Sequence, residues 1–229
     1  MPLKIIGGQF KGLVLKAPPG QSTRPTSSRV REAVFSVLGQ ERLLGAKVLD
    51  LFAGSGAMGL EALSRGADKV LLCDSSLKAL TTIKANLEKL PKGLDVKTLK
   101  AVFPGSLPRL SPYKPFSLVF VDPPYQGDVS LVLAFLAFAV QNELLVPGSQ
   151  VVWEQPPENL DKWSAPEPWR LVQTKRWGDK CAAFLELPDA AVEGQTGEKR
   201  TEEGQAEEGQ TELGQAMEGQ ADERDDKDV

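Results

Sequence analysis

The chain has 229 residues, enough for one sizeable core, with 27 basic and 31 acidic side chains and a net charge of −4. It contains no histidine, which excludes Ser-His-Asp and Cys-His nucleophiles and most zinc chemistry. From Asp189 onward there are 14 acidic and 4 basic side chains, a net of −10, so residues 1–188 carry +6. A mildly basic body of this kind is compatible with a nucleic-acid partner.

Residues 1–31 hold six basic side chains (Lys4, Lys11, Lys16, Arg24, Arg29, Arg31) and no acid. Lys4 to Ile6 and Leu13 to Lys16 are predicted to pair as strands through a glycine-bearing hairpin, ended by Pro18-Pro19-Gly20. The segment 1–22 is therefore expected to form a basic β-hairpin arm. Its lysines suit a phosphate backbone and an exposed Phe10 suits a base. A solvated edge hairpin, with lysines discouraging edge pairing, is the plainer alternative. The absence of acid favours nucleic acid, with Lys4, Phe10, Lys11, Lys16, Arg24 and Arg29 as the candidate contacts.

Thr26 or Ser27 can cap a helix whose apolar face holds Val30, Ala33, Val34, Val37 and Leu38. On that spacing Arg29, Arg31 and Glu32 fall mostly off the buried face. The helix leads into Val48 to Phe52, a short apolar run that ends in Gly54-Ser55-Gly56 and is followed by a helical pattern of Ala57, Leu60 and Leu63. This is strand, glycine turn and helix. Glycine lets the backbone sit against a ligand, and the helix N-terminus points N–H groups at it. Gly54, Gly56 and Gly59 match the G-x-G-x-x-G dinucleotide pattern. S-adenosylmethionine is the competing ligand. It has no phosphate but carries an ammonium and a sulfonium, which the acidic Asp50 suits better. Asp50, Phe52, Ala53, Gly54, Ser55 and Gly56 are the candidate cofactor contacts here.

Lys69 to Asp74 reads as a second buried strand. Its terminal Asp74, 20 residues past Gly54, is placed to accept from ribose hydroxyls, which both candidate ligands possess. A helix from near Ser75 to about Leu90 should turn Leu77, Leu80, Ile83, Leu87 and Leu90 inward. A strand from Val96 to Val102 and the loop Phe103-Pro104-Gly105-Ser106 follow. Cys73 and Cys181 each lie in an apolar run and read as small buried hydrophobes of a reducing compartment.

Phe116 to Val121 is a further strand, and it ends in Asp122-Pro123-Pro124-Tyr125. Two prolines remove two N–H donors, so the backbone offers carbonyls alone. Asp122 adds a carboxylate and Tyr125 a ring. Together they suit a planar heterocycle with an exocyclic amine, held by its hydrogens with the lone pair directed out of plane. Asp122, Pro123, Pro124 and Tyr125 are thus the candidate catalytic residues.

Leu131 to Leu145 reads as a buried helix, Gln150 to Glu154 as a strand, and Trp169 to Trp177 with Lys180 to Leu187 as an antiparallel hairpin around Gly178-Asp179. The run Leu131 to Val140 is too short to span a bilayer. The opening residues lack a signal-peptide pattern. A cytoplasmic protein with no membrane association and no metal is expected. Beyond Asp189 a Gly-Gln dipeptide recurs at 194, 204, 209, 214 and 219 with almost nothing apolar, so 189–229 is expected to be a disordered acidic tail. The segment 23–188 is expected to be a single α/β domain, mostly parallel with a C-terminal antiparallel hairpin.

The stretches TRPTSSRVREAVFSVL (23–38), VLDLFAGSGAMGLEALSRGA (48–67) and FSLVFVDPPY (116–125) resemble the RsmD-type 16S ribosomal RNA guanine-N2 methyltransferases of bacteria. The opening KIIGGQFKGLVL and the closing WRLVQTKRWGDKCAAFLEL fit as well. The resemblance covers residues 3–187. It implies a class I, Rossmann-like methyltransferase fold and S-adenosylmethionine as donor. It implies one guanine N2 of 16S rRNA as acceptor, presented within the 30S subunit or its assembly intermediate to a monomeric enzyme. By motif, Asp50, Gly54 and Gly56 hold the donor, Asp74 the ribose, and Asp122 to Tyr125 the guanine amine. The family's usual Asp or Asn near the adenine is replaced by Gly105, which leaves Ser106 or backbone for that contact. The same four-residue motif also serves methylation of DNA adenine or cytosine, and the glycines with Asp74 alone would also fit an NAD-dependent oxidoreductase. A non-catalytic RNA-binding protein on the same fold is a further alternative.

Overall fold

The apolar runs become strands of one seven-stranded sheet. In the computed structural model, which describes residues 2–19, 28–123, 129–178 and 180–189, these are β1 (Lys47–Asp50), β2 (Lys69–Asp74), β3 (Asp95–Lys100), β4 (Phe116–Val121), β5 (Leu145–Gln155), β6 (Arg170–Trp177) and β7 (Lys180–Glu186). Their order is β3-β2-β1-β4-β5-β7-β6. The first five run parallel, and β7 pairs antiparallel with both β5 and β6. The chain builds outward from β1 to β3, then restarts beside β1 with β4. The switch point of the sheet therefore lies between β1 and β4, where open α/β sheets bind ligands.

Helices cover both faces. α1 (Ser28–Leu38), α2 (Ala57–Ser64) and α3 (Leu77–Leu87) pack on one face around Val48, Leu72, Leu118 and Phe120. α4 (Val129–Gln141) and a 3₁₀ segment (Leu107–Tyr113) cover the other face around Leu49, Val119, Val151 and Trp153. The central strands are buried on both sides, which is why they read as continuous apolar runs without alternation. Cys73 and Cys181 are buried and unpaired. Burial pushes both thiols up, Cys181 to about 11. Among the described residues no helix is long and apolar enough to cross a membrane.

Three local expectations are corrected. The buried stripe of α1 is Val30, Arg31, Val34, Phe35 and Leu38. It is rotated to admit Phe35, whose ring lies 5.6 Å from that of Phe120. The same rotation carries Arg31 into the interior at 1% exposure, where its Nη2 donates to the Lys4 carbonyl at 2.7 Å. Leu77 stays exposed at 64%. The buried stripe of α3 is centred on Ile83, and at 100° per residue Leu77 points about 120° away from it.

The third concerns Phe10, within an N-terminal segment that is hairpin-like as expected. Its pairing is a single antiparallel bridge, Lys4 with Val14, extended by backbone hydrogen bonds from Ile5 to Leu13 and from Leu15 to Leu3. It is a docked hairpin-like strap. Ile5 and Leu15 are buried in the core. The Glu61 carboxylate of α2 accepts the N–H groups of Ile6 (2.7 Å) and Gly7 (2.8 Å). Ser64 Oγ accepts from Phe10 N–H and donates to the Gly7 carbonyl. Phe10 is half-buried against the core and does not stand out as an exposed ring. Glu61 also pairs with Arg65 Nε at 2.8 Å, and its charge acts on the buried Arg31.

Candidate active site

Four chain segments meet at the carboxyl end of the central strands. After β1 the Leu51 N–H donates to the Phe120 carbonyl at 3.0 Å and the Ala53 N–H to the Cys73 carbonyl at 2.8 Å. The turn then closes with the Gly56 N–H on the Ala53 carbonyl. Gly54 (φ 55°) and Gly56 (φ 80°) are both left-handed, a conformation that glycine adopts without penalty. The three glycines of the pattern do different work. A Cβ on Gly54 would meet nothing within 4 Å, so that backbone faces open space. A Cβ on Gly56 would come to 3.3 Å from Leu72, and one on Gly59 to 2.4 Å. Those two glycines let α2 close onto β2.

The amides expected to face a ligand are partly used. Asp50 Oδ2 accepts the Gly59 N–H at 3.1 Å, and Asp74 Oδ2 accepts the Gly54 N–H at 2.8 Å. Asp74 Oδ1 accepts the Ser76 N–H at 2.8 Å, while the Ser76 side chain caps α3. Both carboxylates therefore hold the shape of the corner. Asp50 is 4% exposed, and burial pushes its carboxyl up to about 7. The Gly59 amide opposes that rise, and the neighbouring Asp122 and Asp74 carboxylates add to it.

Asp122 follows β4 directly. β4 lies beside β1 with Phe120 opposite Asp50, so Asp122 stands two residues beyond that partner at the same end of the sheet. Its charge reaches Asp50. Asp122 is exposed and Pro123 half-buried. Pro124 and Tyr125 lie outside the described residues. The glycine corner and the Asp-Pro tip are thus neighbours across the switch point.

In the loop after β3, Ser106 Oγ accepts the Val102 N–H at 2.9 Å and its own N–H returns to the Val102 carbonyl, closing a turn. A residue that the sequence reading passed over stands out here. The Phe103 ring meets Phe52 edge to face, with centroids 5.7 Å apart. The pair joins the tip of β1 to the loop after β3 and forms an apolar wall there. The signal was an aromatic residue just past a strand end. Lys4, Lys11, Lys16 and Arg29 are exposed, and Arg24 lies outside the described residues.

Asp50, Asp74 and Asp122 stand at one end of the sheet, near enough that the charges of Asp122 and Asp74 act on Asp50, and the backbone at Gly54 faces open space beside them. A parallel sheet switched between β1 and β4, with a glycine corner after β1 and an antiparallel last pair, defines a class I methyltransferase. The chain belongs to the family described as Conserved hypothetical protein 95, whose profile matches residues 3–186. It is 38% identical over 125 residues to YlbH of Bacillus subtilis, covering 54% of this chain and 67% of that protein. It is 38% identical over 125 residues to the Escherichia coli K12 protein named Ribosomal RNA small subunit methyltransferase D, covering 54% of this chain and 61% of that one, just under two thirds of its length. The solved structure of yhhF from Escherichia coli, a methyltransferase by its description, superimposes with a TM-score of 0.70 at 29% identity, over 82% of this chain and 99% of that one.

Proposed function

We propose that this protein transfers a methyl group from S-adenosylmethionine to the exocyclic N2 of a guanine in 16S ribosomal RNA, within the small subunit or its assembly intermediate. The observation that carries the reading is the adjacency of the glycine corner and the Asp122-Pro123 tip across β1 and β4. The names of the relatives support ribosomal RNA as the substrate class.

The residues present fit the donor. Gly54 leaves space beside its backbone, Asp74 carries ribose-accepting oxygens, Asp50 supplies negative charge, and Phe52 with Phe103 gives an apolar surface. When bound, the donor supplies an electrophilic methyl on a sulfonium. The protein's own work is positioning, and orientation alone is worth effective molarities of about 10⁵–10⁸ M. Asp122 and the Pro123 carbonyl accept the two amine hydrogens and fix the nitrogen. Pro123 has no N–H to compete for the same acceptors. As the C–N bond forms and the C–S bond breaks, the amine sheds one proton, and the exposed Asp122 carboxylate takes it to solvent. The target base must leave its stack to reach the site.

The test is methylation of small-subunit particles lacking the mark, with the product nucleoside identified by mass spectrometry. N2-methylguanosine is the expected product. N6-methyladenine, or methylation of DNA in its place, overturns the substrate assignment. In Asp122→Ala, turnover should fall by about 10–150-fold or more, as the loss of a charge-assisted hydrogen bond implies, with donor affinity kept. Loss of donor binding in that variant would mean the roles of the two tips are wrongly divided.

A further inference from the structure

Asn86 lies on α3 with 0% exposure, and its amide is fully used. Its Oδ1 accepts the Lys16 N–H at 2.7 Å. Its Nδ2 donates to the Lys16 carbonyl at 2.9 Å and to the Ser55 carbonyl at 3.0 Å. The three partners fix the orientation of the amide, because the flipped group would set N–H against N–H and oxygen against two carbonyls. One helical turn along, Lys89 Nζ donates to the Val14 carbonyl at 2.6 Å. One buried side chain therefore grips the N-terminal strap and the glycine corner at once.

We propose that Asn86 is a positioning residue that links substrate contact at the N-terminal strap to donor binding at the glycine corner. The inference rests on the function proposed above. Ser55 sits between two left-handed glycines, a permissive stretch of backbone, so the direction of its carbonyl needs an outside hold. Asn86 supplies it. Lys16 presents an exposed cation while both its backbone groups are held by the same amide. A phosphate on the Lys16 side chain and a donor settled against Gly54 thus act on partners of one group. Whichever binds first disfavours the fluctuations in which that amide lets go of a partner, and the second then meets less disorder to remove. The linkage is reciprocal by thermodynamic necessity.

The test uses the intact chain with S-adenosylhomocysteine as the probe and hydrogen exchange read by fragment mass spectrometry. Segments 53–59 and 14–17 are followed separately. The expected result on saturation is slowed exchange at both, by about fivefold at 14–17, the factor that one net hydrogen bond implies. In Asn86→Ala the slowing at 53–59 should persist and that at 14–17 should vanish. Slowing confined to 53–59 in the unaltered chain overturns the linkage and leaves the donor reading standing. No slowing at either segment overturns both. Slowing at 14–17 that survives Asn86→Ala shows that another group carries the signal. Asn86→Ser, which keeps a smaller polar group, serves the same comparison if the alanine variant does not fold, and the unaltered chain decides the linkage in either case.

Discussion

Asp50 shows how one residue can be right in place and different in character. Its position at the end of β1 is plain from the sequence. Its burial is not, because that depends on how closely α2 approaches, and Gly59 permits an approach that any Cβ would block. The consequence is a pH dependence. The carboxyl titrates near its ordinary value of 3.8 in the unfolded chain and near 7 in the folded one, so the folded state binds the proton more tightly. Stability from this group is therefore full below about pH 4, declines as pH rises, and levels off above about 8, a loss of about 4 kcal/mol at 1.36 kcal/mol per unit. Asp50→Asn keeps an acceptor for the Gly59 N–H and removes the titration. Thermal melts should show the variant more stable than the parent at pH 8, with the difference shrinking towards pH 4. Parallel curves would mean that Asp50 is solvated in the folded protein. A cationic donor favours the carboxylate, so its binding at pH 7 should also release part of a proton. Calorimetry in two buffers of different ionisation enthalpy reads that directly.

α2 is the element through which the fold and the site are joined. One side presses on β2 through Gly59, and another presents Glu61 and Ser64 to the N-terminal strap. Gly59→Ala would set a methyl 2.4 Å from Leu72 Cδ2 and 2.9 Å from Val70 Cγ1. The expected loss is about 1–3 kcal/mol, typical of overpacking, read as a lower denaturant midpoint with unchanged slope. Glu61→Ala should be worse, at about 3–5 kcal/mol, since it strips the counter-charge from the buried Arg31 and the acceptors from two backbone amides. Limited proteolysis should then cut first within the strap, and cleavage elsewhere would mean that other contacts hold it. The strands, the capped helix after Ser76 and the last hairpin were legible because their signals are local: apolar runs, a cap, a glycine turn. The hairpin-like pairing of the strap was legible, but its docking and the half-burial of Phe10 were not, because its partners on and just beyond α2 and α3 lie 54 to 75 residues away. Glu61 looks like a solvent acid on an amphipathic helix until the strap is laid over it. Arg31 looks like a surface base until Phe35 claims the core. The outline of the candidate site was legible because Gly54, Asp74 and Asp122 each end or follow a strand, and strand order brings those strand ends to neighbouring positions. Phe103 was passed over because only the fold brings its ring to Phe52.

The whole molecule sorts its charge by task. Asp50, Asp74 and Asp122 gather at the end of the sheet where we propose that the methyl donor binds, while Lys4, Lys11, Lys16 and Arg29 of the opening residues are exposed. For a polyanionic substrate those surface cations set both affinity and its response to salt. Arg31 is the instructive case, since it counts as basic in the sequence yet is withdrawn from any phosphate by burial. Lys4, Lys11, Lys16 and Arg29 remain as exposed candidates. If each neutralises one phosphate of unpaired RNA, log K against log salt should fall with a slope of about −3. Replacing the three lysines by glutamine should flatten the slope to about −1, because only Arg29 of the four is left. The replacement leaves the backbone bonds that hold the strap untouched, so donor affinity in the absence of RNA should not move. Fluorescence anisotropy over a range of salt concentrations measures the slope, and a triple variant that keeps about −3 would place the phosphate contacts on another face of the protein.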